Sequence, residues 1–428
     1  MKKKTQINQR EQRFKTLDVP VGWSISEFGK EFTFLRSAQI PREFLSLKES
    51  GKDVYCLHYG DIHATYTNEL LDFDTEVRIP ILHPSYQIPP TVDFLADGDL
   101  IIADASEDYE GVAESIELQN LKGKKAIGGL HTIVVRDAKG NTAPGFRAYL
   151  LKHPYVKRAL QRAANGLSVY GISRSNLAAI TIPLPSLNEQ KSIASIFSTW
   201  DKAIESLQHL LDQKELRKKA LMQKLLTGKK RLPGFTEEWK AVRLGDVTKK
   251  FSRRNRELRD AKVYSVTNTN GFVLQSEHFE RVVAGEDLSN YKIIKKREFA
   301  YNPARINVGS IAYFEDEIGI ISSLYVCFST TKEILDYFLA QILKLDRTKH
   351  RIGSHGEGGV RIYLWYELFA KIKIAIPSLP EQRAIANVLT AADREISLLK
   401  QKLFVLREQK KGLMQKLLTG EIRVRRVN

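Results

Sequence analysis

The chain has 428 residues, 43% of them apolar, and a formal net charge of +17. That length supports two or three domains with full cores, and so large a positive excess points to a polyanionic partner, nucleic acid by default. No run approaches the roughly 18 apolar residues of a membrane span. Cys56 and Cys327 lie one in each half without a Cys or His partner at zinc spacing, which fits a reducing, cytoplasmic setting.

In chain order, residues 1–15 form a basic tail with no apolar stretch behind it, which predicts disorder rather than a signal peptide. Residues 16–185 are expected to form a first globular domain. Its composition is mixed α/β: a β-rich stretch over 129–136 is followed by a helical one near 149–164. A long helix is predicted over 186–230. Residues 231–377 form a second mixed domain, with strands over 318–328 and a helix near 334–345. A second long helix spans 378–422, and 423–428 are a tail.

The two helices are one sequence used twice. Residues 182–228 align with 374–420 at a constant offset of 192, with 22 of 47 positions identical, ending in L-M-Q-K-L-L-T-G at both sites. A weaker echo, W-x4-[FL]-G, stands at Trp23 and Trp239 at an offset of 216. The ends of a duplicated unit are thus held constant while its middle diverges. Ser186-x-x-Glu189 and Ser378-x-x-Glu381 have capping-box spacing, and Gly228 and Gly420 stand where a C′ glycine stops a helix. Between them runs an apolar a/d seam. In the first copy it comprises Ile193, Phe197, Trp200, Ile204, Leu207, Leu211, Leu221 and Leu225. In the second it comprises Ile385, Leu389, Ile396, Leu399, Leu403, Leu406, Leu413 and Leu417. About 40 residues make a rod of roughly 60 Å. The expected architecture is two globular domains separated by two long helices that close into an antiparallel intramolecular coiled coil with pseudo-two-fold symmetry. The alternative is that each helix packs only on its own domain.

Charge follows the helices. Residues 1–180 carry a net +1, whereas residues 181–231 and 374–428 together carry +11 of the +17. Lys214, Lys218, Lys219, Lys410 and Lys411 are expected to face outward, toward DNA phosphates or acidic partner surfaces. No phosphate-binding G-x4-G-K-[ST] and no G-x-G-x-x-G is present. Asn302-Pro303 lacks the following Pro-aromatic of amino-methyltransferases. His58, Asp61 and His63 would make a two-His, one-Asp metal site only on one face; strand residues alternate faces, Asp61 reads equally as a turn residue, and no metal is assigned. The residues describe a binder without catalytic groups.

The tags I-P-x-P-S-L-x-E-Q-x-x-I-A at 182–194, its variant at 374–386, and the doubled L-M-Q-K-L-L-T-G carry a family resemblance. The chain resembles the specificity (S) subunit of type I restriction–modification systems over about residues 16–422. Leu57–His63 and Ala103–Asp108 in the first domain, and Tyr291–Lys295 and Phe299–Asn302 in the second, resemble target-recognition-domain segments, the last two its central strands. The resemblance implies a sequence-specific reader of double-stranded DNA: each domain reads one half of a bipartite site and the helices set the gap. It implies two modification subunits, which hold S-adenosylmethionine, and two restriction subunits, which use ATP and Mg2+. No cofactor is implied on this chain. A coiled-coil adaptor without a DNA role, or the specificity half of a fused methylase or nuclease, are the alternatives.

Reading bases requires polar, basic and aromatic side chains at base edges. The candidates in the first domain are His58, Tyr59, His63, Tyr66, Asn68, Ser106, Asn165 and Ser168. Those in the second are Arg253, Arg254, Asn302, Arg305, Asn307, Lys349, His350, Arg351, Ser354 and His355. The run 351–361, RIGSHGEGGVR, is expected to be a flexible basic loop, with Arg351 contacting DNA. If the helices are a ruler, inserting four residues around Gln208–Asp212 changes the gap between half-sites and leaves the half-sites intact. Sequencing of methylated sites checks this, and an unchanged gap at full activity would count against it.

Overall fold

The computed structural model of the chain describes residues 19–48, 53–137, 139–256, 262–278, 288–356 and 363–424; the 1–15 tail and most of the 423–428 tail lie outside them. Two compact units result, one of Met1–Gln208 with Lys402–Asn428 and the other of His209–Gln401. Each unit therefore takes the start of one long helix and the end of the other.

In the first unit a five-stranded sheet is made by β1 (Phe32–Leu35), β2 (Leu70–Asp72), β3 (Leu100–Ala103), β4 (Ser115–Gln119) and β5 (Thr132–Asp137), in the order β1-β5-β3-β4-β2. Strand residues alternate faces, and here both faces are buried. Leu100, Ile102, Ile133 and Val135 enter one core, and Ile101, Ala103, Ile116, Leu118 and Val134 enter another. The first core is closed by α1 (Pro154–Ala163), α2 (Arg174–Ala178) and the start of α3 (Leu187–Leu225). A second sheet, formed by Lys125–Gly128, Val54–Leu57, Ile81–Leu82 and Leu45–Ser46, surrounds the buried Cys56.

The second unit repeats the plan. Strands β6 (Thr248–Phe251), β7 (Phe299–Tyr301), β8 (Ile311–Tyr313) and β9 (Val326–Thr330) run in the order β6-β9-β7-β8. Helices α4 (Asp336–Leu343), α5 (Asp346–Ser354) and α6 (Tyr366–Phe369) and the start of α7 (Leu379–Leu418) cover it. The 299–301 strand lies inside its sheet as expected, whereas Lys292–Lys295 is, among the described residues, the end strand of a second sheet, with its outer side bridged to the Arg253–Asn255 segment. In each unit the segment after the tryptophan pairs with the strand before the long helix: Ser24↔Leu184 and Lys240↔Ile376. These two registers carry the 216 and 192 offsets of the sequence repeat.

The repeated tags act at the ends of each unit. Gln190 accepts from the Ala143 amide (2.7 Å) and donates to the carbonyls of Asn141 and Pro185. Gln382 does the same with Leu335 (2.9 Å), Glu333 and Pro377. The capping box forms only in part. The Glu189 amide donates to Ser186 Oγ (3.4 Å), but the Glu189 carboxylate accepts from Trp23 Nε1 and from Arg423, and Glu381 accepts from Arg231. An arginine has outcompeted the cap amide, because a bidentate guanidinium–carboxylate pair is the stronger bond. At the other tag, Leu225, Leu226, Leu417 and Leu418 are buried in the cores. Gly228 (φ 72°) and Gly420 (φ 67°) turn in the left-handed region against the rings of Trp239 and Trp23. A side chain would be strained at either position, and at Gly420 it would also be crowded by Pro20. The helices end at Leu225 and Leu418, a few residues before the expected limits.

Within each unit the two helix segments run antiparallel. In the first, Asp201 meets Lys410 and Gln208 meets Arg407. In the second, Lys214 meets Glu395 and Lys218 meets Asp393, so one index falls as the other rises. Every seam residue named above is buried or half-buried. The outward expectation is corrected for Lys214, which pairs with Glu395, and for Lys218 and Lys410, each of which points inward to an aspartate that also accepts from a tyrosine, the buried Tyr149 on Asp201 and the half-buried Tyr337 on Asp393. Lys410 additionally binds Glu69 at 2.7 Å, and Glu69 also meets Lys152. Burial raises the Glu69 carboxyl, but Lys152 and Lys410 outweigh it and hold the group below the usual range. Because that pKa is depressed on folding, its stability is present above the unfolded value of about 4.3 and is lost as pH falls through the folded value. Lys410→Met is expected to cost about 3 kcal/mol at pH 7 by leaving Asp201 without its cation and Glu69 with Lys152 alone. The gap between the thermal melts of the two proteins should narrow as pH falls below about 4.3; a gap as wide in that acid range as at pH 7 would overturn this assignment.

Candidate DNA-reading surface

In the first unit the candidates gather around one short helix, Tyr59–Ala64. His58 caps it, accepting from the Gly60 amide through Nδ1 (3.4 Å), and is itself buried. Burial, with Arg42 and His131 against the opposing Asp61, holds its imidazole below the ordinary histidine range. Asp61 is taken by Arg42 at 2.7 Å, and His63 Nε2 lies 2.9 Å from the Ala105 carbonyl. The Tyr59 ring sits between the imidazoles of His58, His63 and His131, with centroids 5.0, 6.3 and 5.1 Å away. His131 in turn contacts Asp104 at 3.0 Å. Tyr59 is half-buried and His63 exposed, so these two meet solvent.

Burial corrects three expectations here. His58, Tyr66 and Ser106 are almost wholly enclosed. Tyr66 belongs to the second core of the unit, and Ser106 Oγ accepts the Asp108 amide within its turn. They shape the surface rather than present to it. Asn68 is half-buried in a groove of about 310 Å³ that Tyr66, Asp72, Glu76, Arg78 and the α3 residues Ser198 and Asp201 also line. Asn165 and Ser168 are exposed on the turn after α1, where Gly166 (φ 129°) would drive any side chain into the Val169 carbonyl. That turn is fastened to Ala105–Ser106 by the Tyr170–Gly171 strand. The sequence did not single out His131, Asp104, Tyr109 or Tyr170; the last two pack edge to face at 5.4 Å.

In the second unit the expected loop 351–361 is a helix at its start: α5 runs to Ser354, and residues 357–361 lie outside the described residues. The helix turns its basic residues to two uses. Arg347 donates to the Leu226 carbonyl (2.8 Å), and Arg351 donates to the Lys373 carbonyl. These arginines, one turn apart, tie α5 to the body of the unit. Lys349 and His350 make no such bond among the described contacts and are exposed, whereas Ser354 and His355 bond back to the Arg351 carbonyl. Helix α5 packs on the 3-10 turn Ile306–Val308. Arg305 and Asn307 are exposed there, and Asn302 holds the turn by accepting the Ala304 amide (3.0 Å). Arg253 and Arg254 lie elsewhere. Arg253 is paired with Glu298 and stacked 4.1 Å from the Phe251 centroid, and Arg254 donates to Asn290. The structure thus sets Arg305, Asn307, Lys349 and His350, all exposed, on or beside two elements that pack together, and leaves Arg253 and Arg254 apart.

Arg351→Ala is accordingly expected to lower the melting temperature, while Lys349→Ala with His350→Ala leaves it within about 1 °C and weakens DNA binding about fivefold, with a shallower salt dependence because a phosphate contact is lost. Salt titrations of binding beside thermal melts separate the two; a destabilised Lys349/His350 variant with unchanged binding would reverse the assignment.

Comparison with known proteins places this geometry. The family model for the type I restriction modification DNA specificity domain matches residues 111–215 and 236–408, well over half of the chain. Two chains of Methanocaldococcus jannaschii are similar. One, assigned as the specificity subunit of type I restriction enzyme MjaX, is 27% identical over 345 residues, 77% of this chain and 79% of that one. The MjaVIII specificity subunit is 26% identical over 305 residues, 66% of this chain and 71% of that one. The fold is shared with the S subunit of a type I restriction–modification system from M. genitalium (TM-score 0.55, 17% identity, 94% and 97% of the two chains). It is shared equally with a chain from a structure on complex assembly and conformational transition of the type I system (TM-score 0.56, 15% identity, 95% and 100%). With a matched segment in each unit and the doubled helix tags joining them, the chain belongs to the type I restriction–modification DNA specificity family.

Proposed function

We propose that this chain is the non-catalytic, sequence-reading subunit of a type I restriction–modification complex. The domain over 16–185 reads one half of a bipartite duplex site, and the domain over 231–377 reads the other. The helix pair sets the gap and docks two modification subunits, to which two restriction subunits are added. S-adenosylmethionine, ATP and Mg2+ belong to those partners. The observation that carries this reading is the repetition of a constant frame under two different surfaces. The Gln190/Gln382 bonds recur one for one, and so do the arginine pairs on Glu189/Glu381 and the lysine and tyrosine bonds on Asp201/Asp393. The surfaces above them do not: a histidine–tyrosine cluster in the first unit, and Arg305, Asn307, Lys349 and His350 in the second. A protein that reads two different words with one scaffold needs this combination, since phosphate contacts fix register while varied side chains discriminate bases.

The full chain, incubated with randomised duplexes and sequenced after selection, is expected to enrich a bipartite motif with a fixed gap. Enrichment of a single uninterrupted motif, or of none, would overturn the reading, and the latter result would favour a coiled-coil adaptor.

A further inference from the structure

The 192-residue offset continues upstream of the helices, and it places one exposed position of each unit in the same frame. Ile172 and Leu364 are both buried, and each donates its amide to a loop carbonyl, Asp104 at 2.8 Å and Pro303 at 3.0 Å. Six residues on, Ala178 packs so closely on Gly29 that an added Cβ would lie 2.8 Å away, and Ala370 packs on Gly245 at the same 2.8 Å. The backbone between these anchors is therefore held alike in both units. Its outward residues are not alike. On either side of Ile172 stand Gly171 and Ser173; on either side of Leu364 stand Tyr363 and Trp365.

Tyr363 and Trp365 are 37% and 50% exposed, although two large aromatic rings gain from burial. Their rings lie nearly parallel, 13° apart in plane with centroids 6.3 Å apart. Leu364 points inward between them, as alternation in an extended segment requires. The Leu364–Pro303 bond fixes the pair beside the Asn302–Arg305 turn, next to the exposed Arg305 and Asn307. In the first unit the Ile172–Asp104 bond fixes Gly171 and Ser173 beside Asp104, Ala105 and the His63 and His131 side chains. Ser173 spends its hydroxyl on capping α2, accepting from the Asn176 amide at 3.1 Å.

We propose that this ledge is a specificity-determining site on DNA, and that Tyr363 and Trp365 make the second unit read a base step the first cannot. The proposal rests on the sequence-reading function given above. The partner chemistry is a base edge with an apolar feature in the major groove, the thymine C5-methyl. Two stacked rings offer a wide apolar face to it, while Arg305 and Asn307 beside them supply charge and hydrogen bonds. In the first unit, Gly171 and Ser173 leave that space open, so its half-site is read by the neighbouring histidines and backbone.

The test selects randomised duplexes with the full wild-type chain and with the double variant Tyr363→Gly/Trp365→Ser, which installs the first unit's residues. The expected result is loss of preference at one or two positions of one half-site, the other half-site and the gap unchanged, and roughly 10-fold weaker binding to the wild-type motif, the cost of about one mismatched base pair. Tyr363→Phe/Trp365→Phe should keep the wild-type motif. Should the double variant melt early, Trp365→Gln, which keeps bulk and removes the ring face, should degrade the same half-site. A wild-type motif retained at wild-type affinity by the Gly/Ser or Gln variant overturns the ledge. If the wild-type chain itself selects no motif, the underlying reading falls and takes the ledge with it.

Discussion

The contact on which both units depend is an aspartate that holds a lysine from the opposite helix. Asp201 takes Lys410, and Asp393 takes Lys218, each with a tyrosine hydroxyl on the same carboxylate. Each pair maps onto the other by the 192-residue shift. A charge drawn into a half-buried seam is stable only when its partner and hydrogen bonds are complete, so the helix pair has one register in which both aspartates are answered. Slipping either helix by a turn would leave four charged groups without partners. Apolar side chains at the seam give adhesion; this charge pattern gives alignment.

That alignment explains the oddly placed ends of the repeat. The doubled Leu-Leu-Thr-Gly is more than a helix stop. Its leucines fill the core of the unit that the other repeat begins, and its glycine turns beneath that unit's tryptophan. Arg231 and Arg423 follow and bind Glu381 and Glu189. Neither globular core is closed by its own repeat alone, which is the physical reason that the tags stayed constant while the surfaces between them diverged.

Much of this was legible in the sequence because periodicity and repetition are long-range signals. The helix pair, its polarity and the two-domain division followed from the seam and the tags. What escaped were matters of competition between partners. Glu189 has capping-box spacing, but the sequence does not say that Arg423, 234 residues away, will bind it more strongly. Lys218 and Lys410 look like solvated helix charges until the opposing aspartates are in place. The start of the 351–361 run was misjudged because its glycines suggested a flexible loop, whereas Ile352, buried against the core, and the two arginine–carbonyl bonds hold a helix through Ser354. Individual reading residues were the least legible, since exposure is decided by packing: His58, Ser106 and Tyr66 have suitable chemistry but lie inside.

The division of the chain also has an order in time. The second unit is one uninterrupted stretch, His209–Gln401, whereas the first needs Lys402–Asn428 to be whole. During synthesis, the domain that leaves the ribosome first is thus the last to close. Lys410 and Arg423 must arrive at Glu69, Asp201 and Glu189 across the entire intervening chain, a separation that slows folding by the entropy of closing so long a loop. Until then the Phe197 and Ile193 side of the nascent first domain lacks its cover of Leu417 and Leu418. The N-terminal unit is therefore an open half-core until its last segment arrives, whereas the core of the second unit is complete before that segment is made.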